Sequence, residues 1–234
     1  MYAGFMIRNS KYLISISVAL LPVLCAGQML QFRPSEPVQS RIKDPRPQEF
    51  GIGASIVLLT YSGDVDQNAL FVNGKNAWQV GGELLCQYRL LKAFGDVVGV
   101  HLRAVGGYYP LKATSVGYDF RTACFGGFAL AHVELFPNFP LRPSAGVGYG
   151  FLFFNPKVTV KTPEWDELHH RVAGSEKSTG GVPLELGLTW TVGNSIDVFY
   201  QFTKVITFTD NLDGWVANVK DNFQSVSIGV FIFP

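Results

Sequence analysis

Charged side chains are scarce in this sequence. Asp, Glu, Lys and Arg account for 16% of its 234 residues, whereas soluble domains usually contain about 25%. The formal net charge is +1, so the chain lacks the positive surplus that attracts nucleic acid, and no nucleic-acid partner is predicted. It also lacks any run of about 18 uninterrupted apolar residues after the first thirty, which argues against membrane-spanning helices there.

Sequence motifs of catalysis and cofactor binding are absent as well. There is no Walker loop, dinucleotide-binding fingerprint, GxSxG motif or CxxC pair, so no cofactor, metal site or catalytic residue is predicted. Adjacent histidines diverge in an extended chain and no HExxH spacing occurs, so we interpret "PEWDELHHR" as a solvated acidic loop. Its potential metal ligands are Glu164, Asp166, Glu167, His169 and His170. The stretch "TDNLDG" (209–214) lacks the bidentate glutamate of a calcium loop and is interpreted as a turn.

The beginning of the chain has the pattern of a secretory signal. Arg8 and Lys11 precede the apolar stretch "YLISISVALLPVL", and "CAGQ" follows it, which predicts a signal peptide over residues 1–27. A lipoprotein anchored at Cys25 is less favoured, because Leu24 is too bulky for the residue before a lipidated cysteine. A retained membrane anchor is less favoured because the apolar run is short.

The rest of the chain divides into an arm and one domain. Residues 28–49 are rich in Pro, Gln and charge without an apolar period, and are predicted to form an extended N-terminal arm. From residue 50 to 234, apolar residues alternate with small or polar ones, which is typical of β-strands. In "RPSAGVGYGFLF", for example, Ala, Val, Tyr and Phe alternate with Ser and Gly. The eight predicted strands span about residues 50–61, 77–90, 97–109, 120–135, 141–154, 181–192, 195–207 and 223–233.

The connections between these strands alternate in length. The long ones are "SGDVDQNALFVNGKN", "PLKATSVGYD" and the stretches 155–180 and 207–222, and the short ones are "LKAFGD", "FPNFP" and "GN". A soluble sandwich gives no reason for every long loop to lie at one end, whereas a membrane barrel has short turns inside and longer loops outside. Several strands also reach the roughly 9–11 residues needed to cross a bilayer. Together these features predict an all-β fold, an eight-stranded antiparallel up-and-down transmembrane β-barrel.

In such a barrel the larger apolar face of each strand contacts lipid and the smaller, more polar face lines the lumen. Eight strands enclose a lumen just wide enough for side chains, so we expect a packed interior in which glycines prevent crowding. Buried charges must pair. The expected lumen charge network comprises Glu83, Arg89, Arg103, Glu134, Arg142 and Glu185. For Arg142, near a turn, exposure to water at the strand end stays open as the alternative.

Other side chains have more than one interpretation. Aromatic residues near strand ends are predicted to form interfacial girdles, with ordinary β-propensity as the alternative. These residues are Tyr61, Trp78, Tyr88, Tyr108, Trp190 and Phe231. Cys86 and Cys124 fall mid-strand on non-neighbouring strands, so two small hydrophobic residues are expected rather than a disulfide. His101 and His132 have no evident nucleophilic partner in the sequence and are interpreted as packing residues.

Three segments carry a resemblance to a known family: "RPSAGVGYGFLF", "FTDNLDGW" and "DNFQSVSIGVFIF". With them the chain, over about residues 50–234, resembles the eight-stranded OmpA-type outer-membrane β-barrels (the porin-like barrel family) of Gram-negative bacteria. The resemblance implies a location in the outer membrane, contact with outer-membrane lipid, and insertion by the barrel-assembly machinery. OmpA itself also carries a periplasmic peptidoglycan-binding domain, which this sequence is expected to lack.

The family's assembly machinery reads a last strand of the form polar–x–Gly–x–x–apolar–x–aromatic. The residues assigned to this signal are Ser227, Gly229, Ile232 and Phe233. The final aromatic slot itself holds Pro234. If the register is shifted by one residue, Phe231 and Phe233 supply the aromatics but the glycine spacing is lost.

The predicted function follows from this class. We expect an integral outer-membrane barrel with a packed lumen and a structural or surface-interaction role through long extracellular loops, and not an enzyme. One alternative is an outer-membrane enzyme that modifies lipid, which needs a reactive dyad near the rim. The other is a soluble exported lipid-binding barrel, whose large residues would face inward.

Overall fold

Eight β-strands form the part of the chain that the structure, a computed structural model, describes: residues 50–62, 78–93, 97–114, 118–160, 177–192, 195–209, 212 and 220–234. The strands are β1 (Phe50–Ser62), β2 (Gln79–Ala93), β3 (Val98–Thr114), β4 (Tyr118–Leu135), β5 (Leu141–Val160), β6 (Ser178–Thr191), β7 (Ile196–Thr207) and β8 (Asn222–Ile232). The predicted signal peptide and arm lie outside these residues. In the described ranges no helix is long and apolar enough to cross a membrane.

The strands close into a barrel. Each pairs antiparallel with its neighbour in sequence, and β8 pairs with β1 to complete the ring. The closing pair is regular over its whole length, from Ser62 opposite Asn222 to Ile52 opposite Ile232. The predicted fold class is therefore confirmed. Closure also leaves no free sheet edge, which is the arrangement a bilayer requires of β-structure.

The two ends of the barrel differ in their connections. At one end, called the turn end, lie the short connections β2–β3, β4–β5 and β6–β7 together with the first and last strand residues; the other end is called the loop end. The prediction of a second long loop, "PLKATSVGYD", is wrong. There β3 continues to Thr114 and β4 begins at Tyr118, with regular pairing up to Thr114 opposite Asp119. The strand continues because the alternation of buried and outward-facing residues continues through this stretch: Leu111 and Ala113 are buried and Lys112 between them is not.

The side chains are arranged inside out relative to a soluble protein. On the outer surface Leu84 is 72% exposed and Ile56 62%, and large apolar residues cover this surface on all eight strands. On the inner surface Val57 and Leu59 are fully buried. A barrel whose exterior is this apolar is stable only where the surrounding solvent is itself apolar, as lipid is.

Two zones divide the lumen. The half nearer the turn end contains charged and amide side chains, and the half nearer the loop end is packed with apolar ones. The apolar zone includes Leu59, Tyr61, Leu111, Phe120, Phe128, Leu152, Val205 and Phe223. The expectation that small or polar residues fill the lumen was therefore wrong for the loop end. A lumen too narrow for water must be filled like any protein core, and large apolar side chains fill it without unpaired polar atoms.

Candidate functional site

The group of polar side chains nearest the turn end of the lumen surrounds Arg142. Its Nε lies 3.0 Å from Oε1 of Glu134, and its Nη2 donates to Asp197. Thr191 donates a second hydrogen bond to Asp197, at 2.9 Å. Only 3% of Arg142 is exposed, so the structure places it inside the lumen and not in water at the strand end. Asp197 was not among the residues predicted from the sequence, although the alternation of faces along β7 places it on the polar face.

Arg103 is the centre of the next group. Its Nε and Nη2 donate to the side-chain oxygen of Gln87 at 3.2 and 2.8 Å, and its Nη1 donates to that of Gln201 at 2.6 Å. The same Nη1 lies 3.4 Å from Oε2 of Glu185. The guanidinium also lies over the ring of Phe231, 5.1 Å from its centroid. One cation thereby joins β2, β3, β6, β7 and β8 across the lumen.

The remaining predicted charges have different surroundings. Glu83 accepts hydrogen bonds from Ser55 at 2.8 Å and from Tyr109 at 3.0 Å, so hydroxyl groups contact its two oxygens. Arg89 is half-buried on β2, opposite His101 in the β2–β3 register. The six predicted charges thus lie along the polar half of the lumen in several groups with different partners.

Two histidines lie among these groups and face each other in the β3–β4 register. Nε2 of His101 is 3.3 Å from Glu134, and Nε2 of His132 is 3.3 Å from Glu185. Nδ1 of His101 is 3.0 Å from the amide nitrogen of Gln87. Each histidine is 1% exposed. Both rings contact a carboxylate, and the ring of His101 also contacts an amide. The geometry favours packing and charge pairing over nucleophilic catalysis.

Leu212 and its hydrogen-bond partners, called the cap, lie at the loop end of the lumen. Leu212, from the connection between β7 and β8, is fully buried; its carbonyl accepts from Thr122 at 2.5 Å and its N–H donates to Asp221 at 2.8 Å. The hydroxyl of Tyr61 also donates to the carboxylate of Asp221, and the hydroxyl of Thr207 donates to the backbone carbonyl of Asp221. Sequence reasoning missed this cap, because nothing in "TDNLDG" distinguishes a leucine that enters the lumen from one in an ordinary turn.

The structure divides the aromatic residues of the predicted girdle between the two faces of the sheet. Trp78, Tyr88, Tyr108 and Trp190 lie on the outer surface and are 40–50% exposed. Tyr61 and Phe231 are each 1% exposed and point into the lumen, so for them the girdle prediction was wrong. Their position near strand ends suggested a girdle, but strand parity decides which face a side chain occupies.

Cys86 and Cys124, the cysteines in the described part of the chain, are free, as expected. Cys124 is buried in the lumen, whereas Cys86 occupies an outward position of β2, opposite Ile52 and Ala104. They lie on opposite faces of the sheet, which prevents a bridge between them. The acidic loop with His169 and His170 lies outside the described residues.

The closed eight-stranded ring, the apolar exterior and the charged interior decide the class of the protein. The chain is an integral β-barrel of the outer-membrane type. Its outer surface contacts lipid, as predicted. Barrels of this architecture reside in the outer membrane, which is the location predicted from the sequence.

Comparisons with known proteins add only the fold. No family model and no curated protein matches the chain. Among solved structures it is similar to neisserial surface protein A, NspA, with 15% identity over 80% of this chain and 97% of that chain and a TM-score of 0.47. It is also similar to the attachment invasion locus protein Ail of Yersinia pestis, with 14% identity over 79% of this chain and 99% of that chain and a TM-score of 0.38. A third similar structure is that of the outer membrane enzyme PagL, with 11% identity over 77% of this chain and 98% of that chain and a TM-score of 0.41.

Proposed function

We propose that the protein is a sealed, non-enzymatic outer-membrane barrel that holds extracellular loops at the cell surface. The observation that supports this most directly is the filled lumen. Buried side chains follow one another from Arg142 and Asp197 through Arg103 and Glu83 to the cap at Leu212. An eight-stranded barrel has room for side chains but not for a channel beside them. The connections 63–78, 161–177 and 208–221 then carry the interactions with other surfaces.

The lipid-modifying alternative needs a reactive group that a lipid can reach. His101 and His132 are each 1% exposed, and the whole strand backbone separates them from the lipid phase. The soluble lipid-binding alternative needs large apolar residues inside and polar ones outside, which is opposite to the exposure of Leu84 and Ile56. The first observation supports a non-enzymatic role, and the second supports the membrane location.

Two measurements on the full chain test the proposal. Reconstituted into planar bilayers, the protein should give no stepwise ion conductance, because the lumen is filled. In cells, the acyl pattern of lipid A measured by mass spectrometry should be the same with and without the protein. Regular conductance steps would contradict the proposal that the lumen is sealed. A changed acyl pattern would show that the protein is a lipid-modifying enzyme.

Insertion is proposed to depend on β8 and its flanking residue. Ser227 and Phe233 are buried, Gly229 faces the lumen beside the ring of Phe199, and Ile232 is 49% exposed on the lipid side. Phe233→Ala should reduce the amount of folded barrel recovered from outer membranes, while refolding of the purified chain in detergent continues. Pro234→Ala is the matched control, because Pro234 is exposed and should not affect recovery. Equal recovery for both variants would remove Phe233 from the signal.

A further inference from the structure

Three phenylalanine rings follow one another along the lumen where β8 meets β7 and β1. Phe233, just after β8, is 5% exposed, Phe231 of β8 is 1% exposed and Phe199 of β7 is 2% exposed. The centroids of the first two rings are 6.2 Å apart and those of Phe231 and Phe199 are 5.0 Å apart. These three residues, the ring column, thus lead from the turn end to Arg103, whose guanidinium lies 5.1 Å from the centroid of Phe231 and 6.0 Å from that of Phe199.

Each ring of the column lies over a glycine of the neighbouring strand. The distances from a Cβ atom added to each glycine to the nearest ring carbon are 2.6 Å for Gly51 and Phe233, 2.8 Å for Gly53 and Phe231, and 2.5 Å for Gly229 and Phe199. Phe231 is directly opposite Gly53, and Phe199 is directly opposite Gly229. A side chain at any of the three glycines would therefore have to displace a buried ring.

The outer side of the seam between β1 and β8 does not distinguish one register from another. A shift of β8 by two residues along β1 keeps every side chain on its own face of the sheet, and the antiparallel hydrogen-bond pattern repeats with the same period. After such a shift the outer positions would again hold aliphatic residues opposite aliphatic residues. On β1 these positions are Ile52, Ala54, Ile56 and Leu58, and opposite them on β8 are Ile232, Val230, Ile228 and Val226.

The ring column does distinguish the registers. A shift in one direction places Phe231 opposite Ser55, whose side chain occupies the space that Gly53 leaves open, so the lumen would be overpacked. A shift in the other direction places Gly229 opposite Gly53, and a cavity would remain where the ring of Phe231 had been. The observed register alone gives each of the three rings a glycine and each of the three glycines a ring.

We propose that the ring column, rather than the hydrogen-bond ladder, selects the register in which β8 closes the barrel on β1. The stagger of the strands and their tilt determine the width of a barrel. The same contacts therefore set the span across which Arg103 reaches Gln87 and Gln201. This role concerns the closure of the barrel, and it holds whether the loops bind a partner or the protein is an enzyme.

The test measures the closing register with pairs of cysteines on the outer side of the seam. The purified full chain, with Cys86→Ala and Cys124→Ala as background, is refolded in detergent and treated with a short bifunctional thiol reagent. Directly opposite residues have Cβ atoms about 4.5–5.5 Å apart, whereas residues offset by two are about 7–8 Å apart, so the reagent reports which residues are opposite. A54C/V230C are opposite in the observed register, and A54C/I232C and A54C/I228C would be opposite after a shift by two residues in either direction.

The variants remove rings inside and outside the seam. F231A/F233A removes two rings of the column, and F231L/F233L keeps most of their volume without the flat ring, in case the first variant does not fold. F128A/F154A is the matched control, because it removes two buried rings of β4 and β5. Unboiled gel migration shows which proteins are folded.

In the background chain we expect A54C/V230C to be cross-linked about tenfold more than either shifted pair. In the two variants of the column, the cross-linked product of at least one shifted pair should rise about tenfold, and in the control variant it should not rise. Cross-linking that stays confined to A54C/V230C in folded variants of the column would overturn the proposal, because the ladder and the remaining contacts would then set the register. An equal rise in the control variant would overturn it as well, since any loss of core packing would then loosen the seam.

Discussion

Nε of Arg142 lies 3.0 Å from Oε1 of Glu134, across the two strands that are joined at the turn end of the barrel. Arg142 also donates to Asp197 on β7, so one buried cation serves two carboxylates from different strands. The pair is buried, and bulk water cannot replace either partner. Removing one member therefore leaves a buried charge without its counter-ion, which costs more than the intact pair contributes.

Arg142→Met is expected to lower the free energy of unfolding by about 3–5 kcal/mol, because both carboxylates lose their shared cation. Glu134→Gln is expected to cost less, since Arg142 keeps Asp197. Urea unfolding of the protein in detergent, followed by unboiled gel migration, gives both values. Equal losses in the two variants would contradict a cation shared between two carboxylates.

Arg103→Lys tests the other junction of the lumen. An ammonium group cannot donate to Gln87 and Gln201 in the geometry of the guanidinium, so the unfolding free energy is expected to fall by about 1.5–3 kcal/mol. Arg121→Lys makes the same change on the outer surface and should leave stability unchanged. A similar loss in both variants would mean that the effect comes from the substitution and not from the lumen contacts.

Gly146 is required for space beside His132. A Cβ atom at Gly146 would lie 2.4 Å from Cδ2 of that ring, whereas a Cβ at Gly106 on the outer face would have no atom within 4 Å. Gly146→Ala is expected to destabilise the barrel by about 1–3 kcal/mol, as overpacking does in other cores. Gly106→Ala, measured by the same urea titration, should be neutral. A neutral Gly146→Ala would show that the imidazole can move aside freely.

The sequence was sufficient to predict the strands because alternation with a period of two extends through nearly all of them. All eight strands are present, and the ends of six agree with prediction to within three residues at both ends. β3 and β5 extend farther, to Thr114 and Val160, because strands that project beyond the bilayer no longer need an apolar outer face. Lys112 and Lys157 on that face suggested loops to sequence reasoning.

The lumen was only partly predictable, for a related reason. Parity identified Glu134, Arg142, Glu185 and Arg103 as inward-facing, but it does not say which of them meet, because neighbouring strands can slide by two residues without changing parity. In β1, "IVLLTYS" is apolar on both faces, so alternation was not visible there. Tyr61 was therefore assigned from its position near the strand end and not from its parity.

Asp221→Ala is expected to open the cap without unfolding the barrel. The carboxylate accepts from the Tyr61 hydroxyl and from the Leu212 N–H, and hydrogen bonds to a charged group contribute about 1.5–3 kcal/mol each. The eight-stranded ladder does not depend on these contacts, so the urea midpoint should change little while added protease cleaves near Leu212 about tenfold faster or more. Lys220→Ala, at the exposed neighbouring position, should not alter cleavage. Conductance should stay absent, because Tyr109 and the charged groups below it still fill the lumen. Unchanged cleavage in Asp221→Ala would mean that burial of Leu212 alone holds the cap closed.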